Sequence, residues 1–493
     1  LGTEEGMEFL PFLKESYNLI TNYTPQIVFI KGKSGYGKSK LIESLKEEMI
    51  KDNTVFIVYK CTESMKNVPY APFIYIINEY FAKVNISEYK DEIIDVLKDN
   101  LIFFYKLFSS AKGKISFDSL VDKEIADKER QKELIEAICI FINLIGRFKE
   151  ELILCIDDIQ WIDKDSLKLL TELSNKLSDT KVLIILTEKE EDVDEKLISS
   201  LSGTKIFNCL EIRQLQQQYL ASFINSIINA QIKFNEDFYD TVYKASGGNP
   251  LVIQEIIKSF YDNSVLFLKD NHWNVDYNKF SLVISESDFS KIFVKKLNKF
   301  DSREKQILTL ASIIGSEFSA DILGELLYTK EGNRNLNEVI NLIDKCKKEQ
   351  IIGENLSKGE GIYYFISVTI NELLYVSLTE NDKNAFHLIC AKTLEKIHAR
   401  NIDDVVYQIA YHYNKTNDFQ NMLKYNEMAR LKAFSHYSLN EIIYYAKKIF
   451  DYKYANNCMD KSSINSAVTM TKLLQVSGEI SESFEYLNKL LPL

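Results

Sequence analysis

The sequence has no basic excess: 60 Lys and Arg stand against 71 Asp and Glu, a formal net charge of −11. Contact with a nucleic-acid backbone rests on clustered cations, so no nucleic acid is expected as a partner, and the acidic balance mainly serves solubility. No apolar run approaches the roughly 18 residues that a membrane span needs, and residues 1 to 20 lack the charged-then-apolar layout of a signal peptide. No membrane partner is expected, and a cytoplasmic location is. The seven cysteines (Cys61, Cys139, Cys155, Cys209, Cys346, Cys390, Cys458) form no C-x-x-C pair and have no His at zinc spacing. They read as buried thiols in a reducing compartment. The chain opens on Leu rather than Met, as a piece cut from a longer protein would.

What is present is length and pattern. A chain of 493 residues, 46% hydrophobic, is expected to hold about three or four domains with their own cores. Residues 32 to 39, GKSGYGKS, match the phosphate-cradling pattern G-x-x-x-x-G-K-[S/T] at every fixed position. Ile27, Val28, Phe29 and Ile30 precede it as a strand, and Leu41, Ile42, Leu45 and Met49 follow at helical spacing. Gly32, Gly35 and Gly37 let the backbone N–H groups turn inward, so the loop and the helix start form an anion nest that Ser34, Tyr36 and Lys40 share. A triphosphate fits there. Lys38 is expected at the β and γ phosphates and at the chemistry, and the Ser39 hydroxyl on Mg2+.

Leu10, Leu13, Tyr17 and Ile20 define an amphipathic helix beside the first strand. Val55 to Val58 make a second strand, apolar on both faces. PYAPF at 69 to 73 then interrupts regular structure, and residues 74 to 149 read as a helical insertion. The strand Leu152 to Ile156 delivers Asp157 and Asp158 at its C-terminal end, where an open α/β sheet puts its active site. Asp157 is expected to hold Mg2+ through water and Asp158 to orient and deprotonate an attacking water. Two aspartates at a strand-to-helix turn also suit a helix cap. Val182 to Leu186, ending at Thr187, Glu188 and Lys189, and Ile206 to Ile212 complete five strands.

With these motifs in place, DDIQWIDKDSLKLL at 157 to 170 resembles the D-D-[LIV]-H-W-x-D-x-x-S-L-x-L-L stretch of the STAND ATPases, AAA+-related signal-transduction NTPases found with bacterial regulators, kinases and class III nucleotide cyclases. PYAPF resembles the family's P-Y-x-P-F segment, and GGNPLVIQEI at 247 to 256 its G-N-P-x-x-x-x-E signature. The resemblance implies an α/β P-loop NTPase core with a parallel sheet, followed by an all-α lid, a winged helix and TPR-like helical repeats. The segments expected are 1–212 for the core, 213–283 for the lid with a small hairpin, 284–379 for the winged helix and 380–493 for the repeats. It also implies Pro250 against the nucleotide, although Gly-Gly-Asn-Pro by itself is a helix stop. Lys189 stands where the family's phosphate-sensing Arg ends the fourth strand; it keeps the charge and loses the bidentate fork. Gln160 replaces the usual His, and Thr3 the Arg of the opening G-R-E. The winged-helix F-x-H-D-L reads Phe365, Ile366, Ser367, Val368, so its nucleotide-sensing His and its Asp are gone. Slow hydrolysis is expected.

The third helix of the winged-helix stretch balances Lys345, Lys347 and Lys348 against Glu338, Asp344 and Glu349, which favours a structural or switching role over reading DNA. NKTNDFQNMLKYNEMARLKAF at 414 to 434 and SGEISESFEYLNKL at 477 to 490 share a turn, an apolar residue and a helix with Tyr425 and Tyr486 at matching places. His387, His398, His412 and His436 read as packing or surface. The function expected is an Mg-ATP switch in signalling, binding and slowly hydrolysing ATP to ADP. It would have a protein partner on its repeats, a nucleotide-dependent oligomer as an option and an output domain outside this chain. A non-hydrolysing nucleotide-clamped scaffold, the ATPase portion of a transcription regulator and a small-molecule kinase are the alternatives.

Overall fold

The computed structural model describes residues 4–49, 53–108, 127–148, 150–189, 201, 204, 206–269, 272–280, 292–315, 317–332, 336–354, 361–366 and 368–492. Five parallel strands, β1 (Gln26–Gly32), β2 (Thr54–Lys60), β3 (Glu151–Asp157), β4 (Val182–Lys189) and β5 (Phe207–Ile212), form one sheet in the order β2-β3-β4-β1-β5. The three central strands are apolar on both faces because helices cover both. Val28, Ile30, Ile153, Cys155, Leu183 and Ile185 meet Leu13, Tyr17 and Ile20 of α1 (Glu4–Thr21) and Leu41 and Leu45 of α2 (Lys38–Met49). Their alternate neighbours Ile27, Phe29, Leu154, Ile156, Ile184 and Leu186 face the opposite layer, α3 (Ala71–Lys83), α4 (Lys90–Leu97), α5 (Leu101–Leu107), α6 (Asp127–Ile145) and α7 (Lys164–Lys176). Since β4 lies between β1 and β3, its C-terminal end is set between the glycine loop and the aspartate pair.

PYAPF starts a helix instead of interrupting one. Tyr70 takes a left-handed conformation (φ 57°), and α3 begins at Ala71 with Pro72 in its first turn, where the fixed φ of proline suits a helix and its missing N–H costs nothing. Within residues 74 to 149 the described regular elements are helices, with short non-helical turns such as 84–85 and 146–148.

Beyond the sheet come α8 (Leu220–Ile228), α9 (Glu236–Ser246) and α10 (Pro250–Asp262), then a hairpin of β6 (Leu266–Lys269) and β7 (His272–Val275). Trp273 packs on Tyr261 in an edge-to-face pair with centroids 6.0 Å apart. Next are α11 (Ile292–Leu297), α12 (Ser302–Ile314), β8 (Glu317–Ser319), α13 (Ala320–Glu331), α14 (Leu336–Lys348), β9 (Ile352–Glu354), β10 (Ile362–Phe365) and α15 (Val368–Val376). β10 lies antiparallel between β8 and β9. Strand β8, three residues long, is an element that periodicity did not predict.

The remaining helices, α16 (Glu380–Ile397), α17 (Ile402–Tyr413), α18 (Phe419–Ser435), α19 (Leu439–Ala455), α20 (Lys461–Ser477) and α21 (Ile480–Leu490), pack each on the next. Tyr425 and Tyr486 occupy the same place in their helices, six residues after the start (419 to 425, 480 to 486), and both are buried. Tyr425 stacks on Tyr413, and Tyr486 meets Phe450 edge-on. His387 and His412 are buried with their Nδ1 atoms 2.9 Å apart, so one ring donates and the other accepts, and burial holds both well below the ordinary histidine range. Five cysteines are buried, but Cys209 on edge strand β5 and Cys458 are exposed, against the expectation of buried thiols. Among the described residues no helix is long and apolar enough to cross a membrane.

Candidate nucleotide site

The turn after β1 is built from close approaches. A Cβ on Gly32 would lie 2.7 Å from the Ile212 carbonyl oxygen of the neighbouring strand. Gly35 (φ +83°) and Gly37 (φ +97°) adopt conformations that L side chains avoid. A Cβ on Gly35 would stand 2.7 Å from Asn249 Oδ1, whereas one on Gly37 would meet nothing within 4 Å, leaving the concave side of the loop open. Lys38 folds back over the loop and donates to the carbonyl oxygens of Gly32 (2.5 Å) and Lys33 (3.1 Å).

Ser39 donates to Asp157 Oδ2 at 3.5 Å, and Thr187 Oγ1 donates to Asp157 Oδ1. Burial raises the Asp157 carboxyl above its ordinary range, and the charge of Asp158 adds to this; Lys60, the Thr187 bond and Lys38 oppose it. Asp158 stands in the left-handed region (φ 58°) with its N–H bonded to Thr187 Oγ1 at 3.1 Å. Its side chain caps no helix. The capping alternative falls instead to Asp163, whose Oδ1 accepts from Ser166 N at 2.8 Å. Asp158 Oδ2 lies 3.5 Å from Lys60 Nζ, and Oδ1 accepts from Gln160 Nε2 at 3.4 Å. Burial lowers the Lys60 ammonium, but Asp157 and Asp158 outweigh it and hold the group above its usual value.

The glycine loop, Lys60 and Asp158 line one cavity of about 310 Å³, within the range of small-molecule sites, whereas Gly32 and Asp157 are not among its lining residues. Ser34, Gly35, Tyr36, Gly37, Lys38, Ser39 and Lys40 line it together with Lys60, Asp158 and Lys189. Lys40 sits at the rim with its ammonium on Glu43 at 2.9 Å. Phe9, Ile212, Leu215, Phe223 and Leu251 make an apolar end beside Pro250. Pro250 lines this cavity, and its helix is tied to the loop: Asn249 Nδ2 donates to Ser34 O at 3.0 Å and Leu251 N to Gly35 O at 3.3 Å. Lys189 is opposite Gly32 in the β1–β4 register. Its ammonium lies 3.6 Å from Glu372 Oε1 on α15, and Ile366 also lines the cavity. Ser367 lies outside the described residues.

Motif reading overlooked Lys60, Thr187, Phe9 and Arg213. The position of Lys60 at the end of a strand whose neighbour ends in Asp157 was the available signal.

Residues 12–185 match the family model described as the AAA ATPase domain. The chain carries an AAA-type P-loop ATPase domain. The chain is 24% identical over 292 residues to the peroxide stress-activated histidine kinase mak3 of Schizosaccharomyces pombe, a match covering 57% of this chain and 12% of the kinase. Among solved structures it is similar to a STAND protein with a tetratricopeptide repeat sensor from Pyrococcus horikoshii, at 14% identity and a TM-score of 0.46, covering 97% of this chain and 63% of that one. It is also similar to the Aeropyrum pernix ORC1 protein, solved in complex with DNA, at 12% identity and a TM-score of 0.32, covering 74% and 90%. The chain thus spans about an eighth of the curated relative and under two thirds of the STAND structure. AAA ATPases act on Mg-nucleotide, and the site has the donors for it: an open glycine cradle, a lysine over it, and a serine hydroxyl facing a buried carboxylate held by Thr187.

Proposed function

We propose that the ATPase is a STAND-type signalling switch that binds Mg-ATP, hydrolyses it slowly and passes its nucleotide state to the helices after residue 380. One observation carries this reading. Ile366 and, through the Lys189 ion pair, Glu372 bring the segment before those helices onto the nucleotide cavity itself.

Bound Mg-ATP would supply the phosphoryl group and the metal's positive charge. The glycine loop would hold the phosphates, with Lys38 leaving its two carbonyl partners for them. Ser39 and Asp157 would hold the metal, and Asp158 would orient and deprotonate water. The apolar end beside Pro250 suits the flat base. Helices α12 to α14 with strands β8 to β10 read as a winged helix. Three of its cations are paired, Lys345 with Glu304, Lys347 with Glu354 and Arg303 with Glu338, which favours a switching role over DNA reading. The stack α16 to α21 reads as TPR-like repeats offering a surface to a protein partner.

The engagement of both Asp158 oxygens, by Lys60 and by Gln160, favours a second reading: a scaffold clamped by nucleotide that does not hydrolyse it. Single-turnover phosphate release from purified protein and ATP separates the two. The switch releases one phosphate per site, more slowly than an enzyme built for turnover, whereas the scaffold releases none.

A further inference from the structure

We propose that Glu372 sets the preference of this site between ATP and ADP by competing with the γ phosphate for Lys189. The proposal rests on the nucleotide reading above and assigns a residue outside the ATPase domain to its specificity.

Lys189 stands at the C-terminal end of β4, between the strand that ends in the glycine loop and the strand that ends in Asp157, and directly opposite Gly32 in register. It lines the cavity together with Gly37, Lys38, Ser39 and Asp158. The β phosphate belongs in the loop nest, so a cavity-lining cation at the end of the strand beside that loop is in place to meet a phosphate beyond it, the γ position. The Lys189 side chain is 15% exposed and its ammonium is 3.6 Å from Glu372 Oε1, whose own side chain is 60% exposed. Glu372 thus comes to the lysine from the solvent side, carried by α15. Ile366, shortly before that helix, touches the same cavity.

A lysine ammonium is a compact point charge without the fork by which a guanidinium grips two oxygens at once. Its full attraction goes to one anion at a time. A γ phosphate brings more charge than a carboxylate and draws Lys189 away from Glu372, whereas ADP leaves the pair intact. ATP binding therefore loses the worth of this ion pair, and ADP binding does not. For a pair exposed on one side that worth is modest, equivalent to about a two- to fivefold change in affinity. Through the same contact, loss of the pair releases α15 from the core.

The test is calorimetric titration of the full 493-residue chain with ADP and with a non-hydrolysable ATP analogue, for the parent, Glu372→Gln, Glu372→Asp, Lys189→Gln and the Glu372→Gln/Lys189→Gln double variant. Glu372→Gln is expected to tighten the analogue about two- to fivefold with ADP affinity unchanged, and Glu372→Asp to restore most of the parental ratio. Lys189→Gln should weaken the analogue, and on that background Glu372→Gln should change nothing. An unchanged ratio in Glu372→Gln, or a change that persists without Lys189, overturns the proposal and leaves the nucleotide reading standing. A parent protein that binds neither nucleotide overturns both.

Discussion

Ser438 Oγ donates a hydrogen bond to Asp165 Oδ2 at 2.5 Å, across 273 residues of chain and between two fully buried side chains. Asp165 lies in the first turn of α7, directly downstream of the aspartate pair, and Ser438 precedes α19. Asn440 Nδ2 and Gln131 Nε2 donate to the other Asp165 oxygen at 2.5 and 3.1 Å. Nearby, Tyr445 donates to Asn67 O, Phe103 packs edge-on against Tyr437, and Lys415 pairs with Glu63. The ATPase core thus holds the helical stack at this buried polar clasp, and α15 ahead of the stack at the Lys189–Glu372 pair beside the cavity.

Ser438→Ala should loosen the clasp. It leaves a buried carboxylate oxygen without its donor, a loss of about 1–3 kcal/mol. Hydrogen exchange of the α19 start should rise, with protection of β1 and β3 unchanged; equal protection of α19 in parent and variant would show that the contact adds nothing.

Asp163, two residues before Asp165 and buried with it, makes stability depend on pH. Burial raises the Asp163 carboxyl to about 7, with the charge of Asp165 adding to it and the Ser166 and Tyr70 bonds opposing it. Burial and both aspartates likewise raise Glu441, while Tyr70 and Tyr407 stay neutral and Arg130 lies over the Tyr437 ring. The folded state then holds the Asp163 proton more tightly than the unfolded chain, where the pKa is about 3.9. Its contribution is complete below that value and is lost as pH rises through about 7. Asp163→Asn keeps the cap acceptor and removes the titration, so its melting temperature should gain on the parent between pH 5 and 8. A gap that shrinks over that range would reverse the sign.

Lys38→Ala should remove ATP binding at micromolar concentration while the fold persists. Its charge-assisted contacts are worth about 1.5–3 kcal/mol, roughly ten- to 150-fold in affinity. Calorimetry checks this, and unchanged affinity would place the phosphates elsewhere.

Asp158→Asn should keep nucleotide affinity and abolish phosphate release, because Lys38, Ser39 and Asp157 remain and the base is lost. Turnover equal to the parent's would move the base to another residue.

Asn249→Ala removes both the bond to Ser34 O and the cap on Leu251 N and Val252 N. About 1 kcal/mol of cap stability goes with it, and ADP should dissociate several-fold faster in stopped flow. An unchanged off-rate would mean that this helix start does not hold the nucleotide.

The parts of this molecule that local spacing governs were legible in its sequence. Val28 to Ile30 before the glycine loop, Leu152 to Ile156 before Asp157 and the repeat tyrosines Tyr425 and Tyr486 each announce a strand, a site or a helix within a dozen residues. What tertiary packing decides was not legible. Lys60 meets Asp158 only because β2 and β3 are neighbours in register, and Glu372 reaches Lys189 only because the fold brings α15 to the end of β4. The Asp165–Ser438 bond spans more than half the chain and follows no periodicity. β8 is too short to show alternation, and Pro72 reads as a breaker until Tyr70 turns it into a helix start.

The central claim is that nucleotide state reaches the helical stack through contacts at the cavity. Hydrogen exchange followed by mass spectrometry over residues 362–376 and 436–446, with ADP and with a non-hydrolysable ATP analogue, tests it most directly. The account predicts faster exchange in both segments with the analogue than with ADP, and no such difference in Lys38→Ala. Equal exchange with the two nucleotides, both shown to be bound, would contradict it.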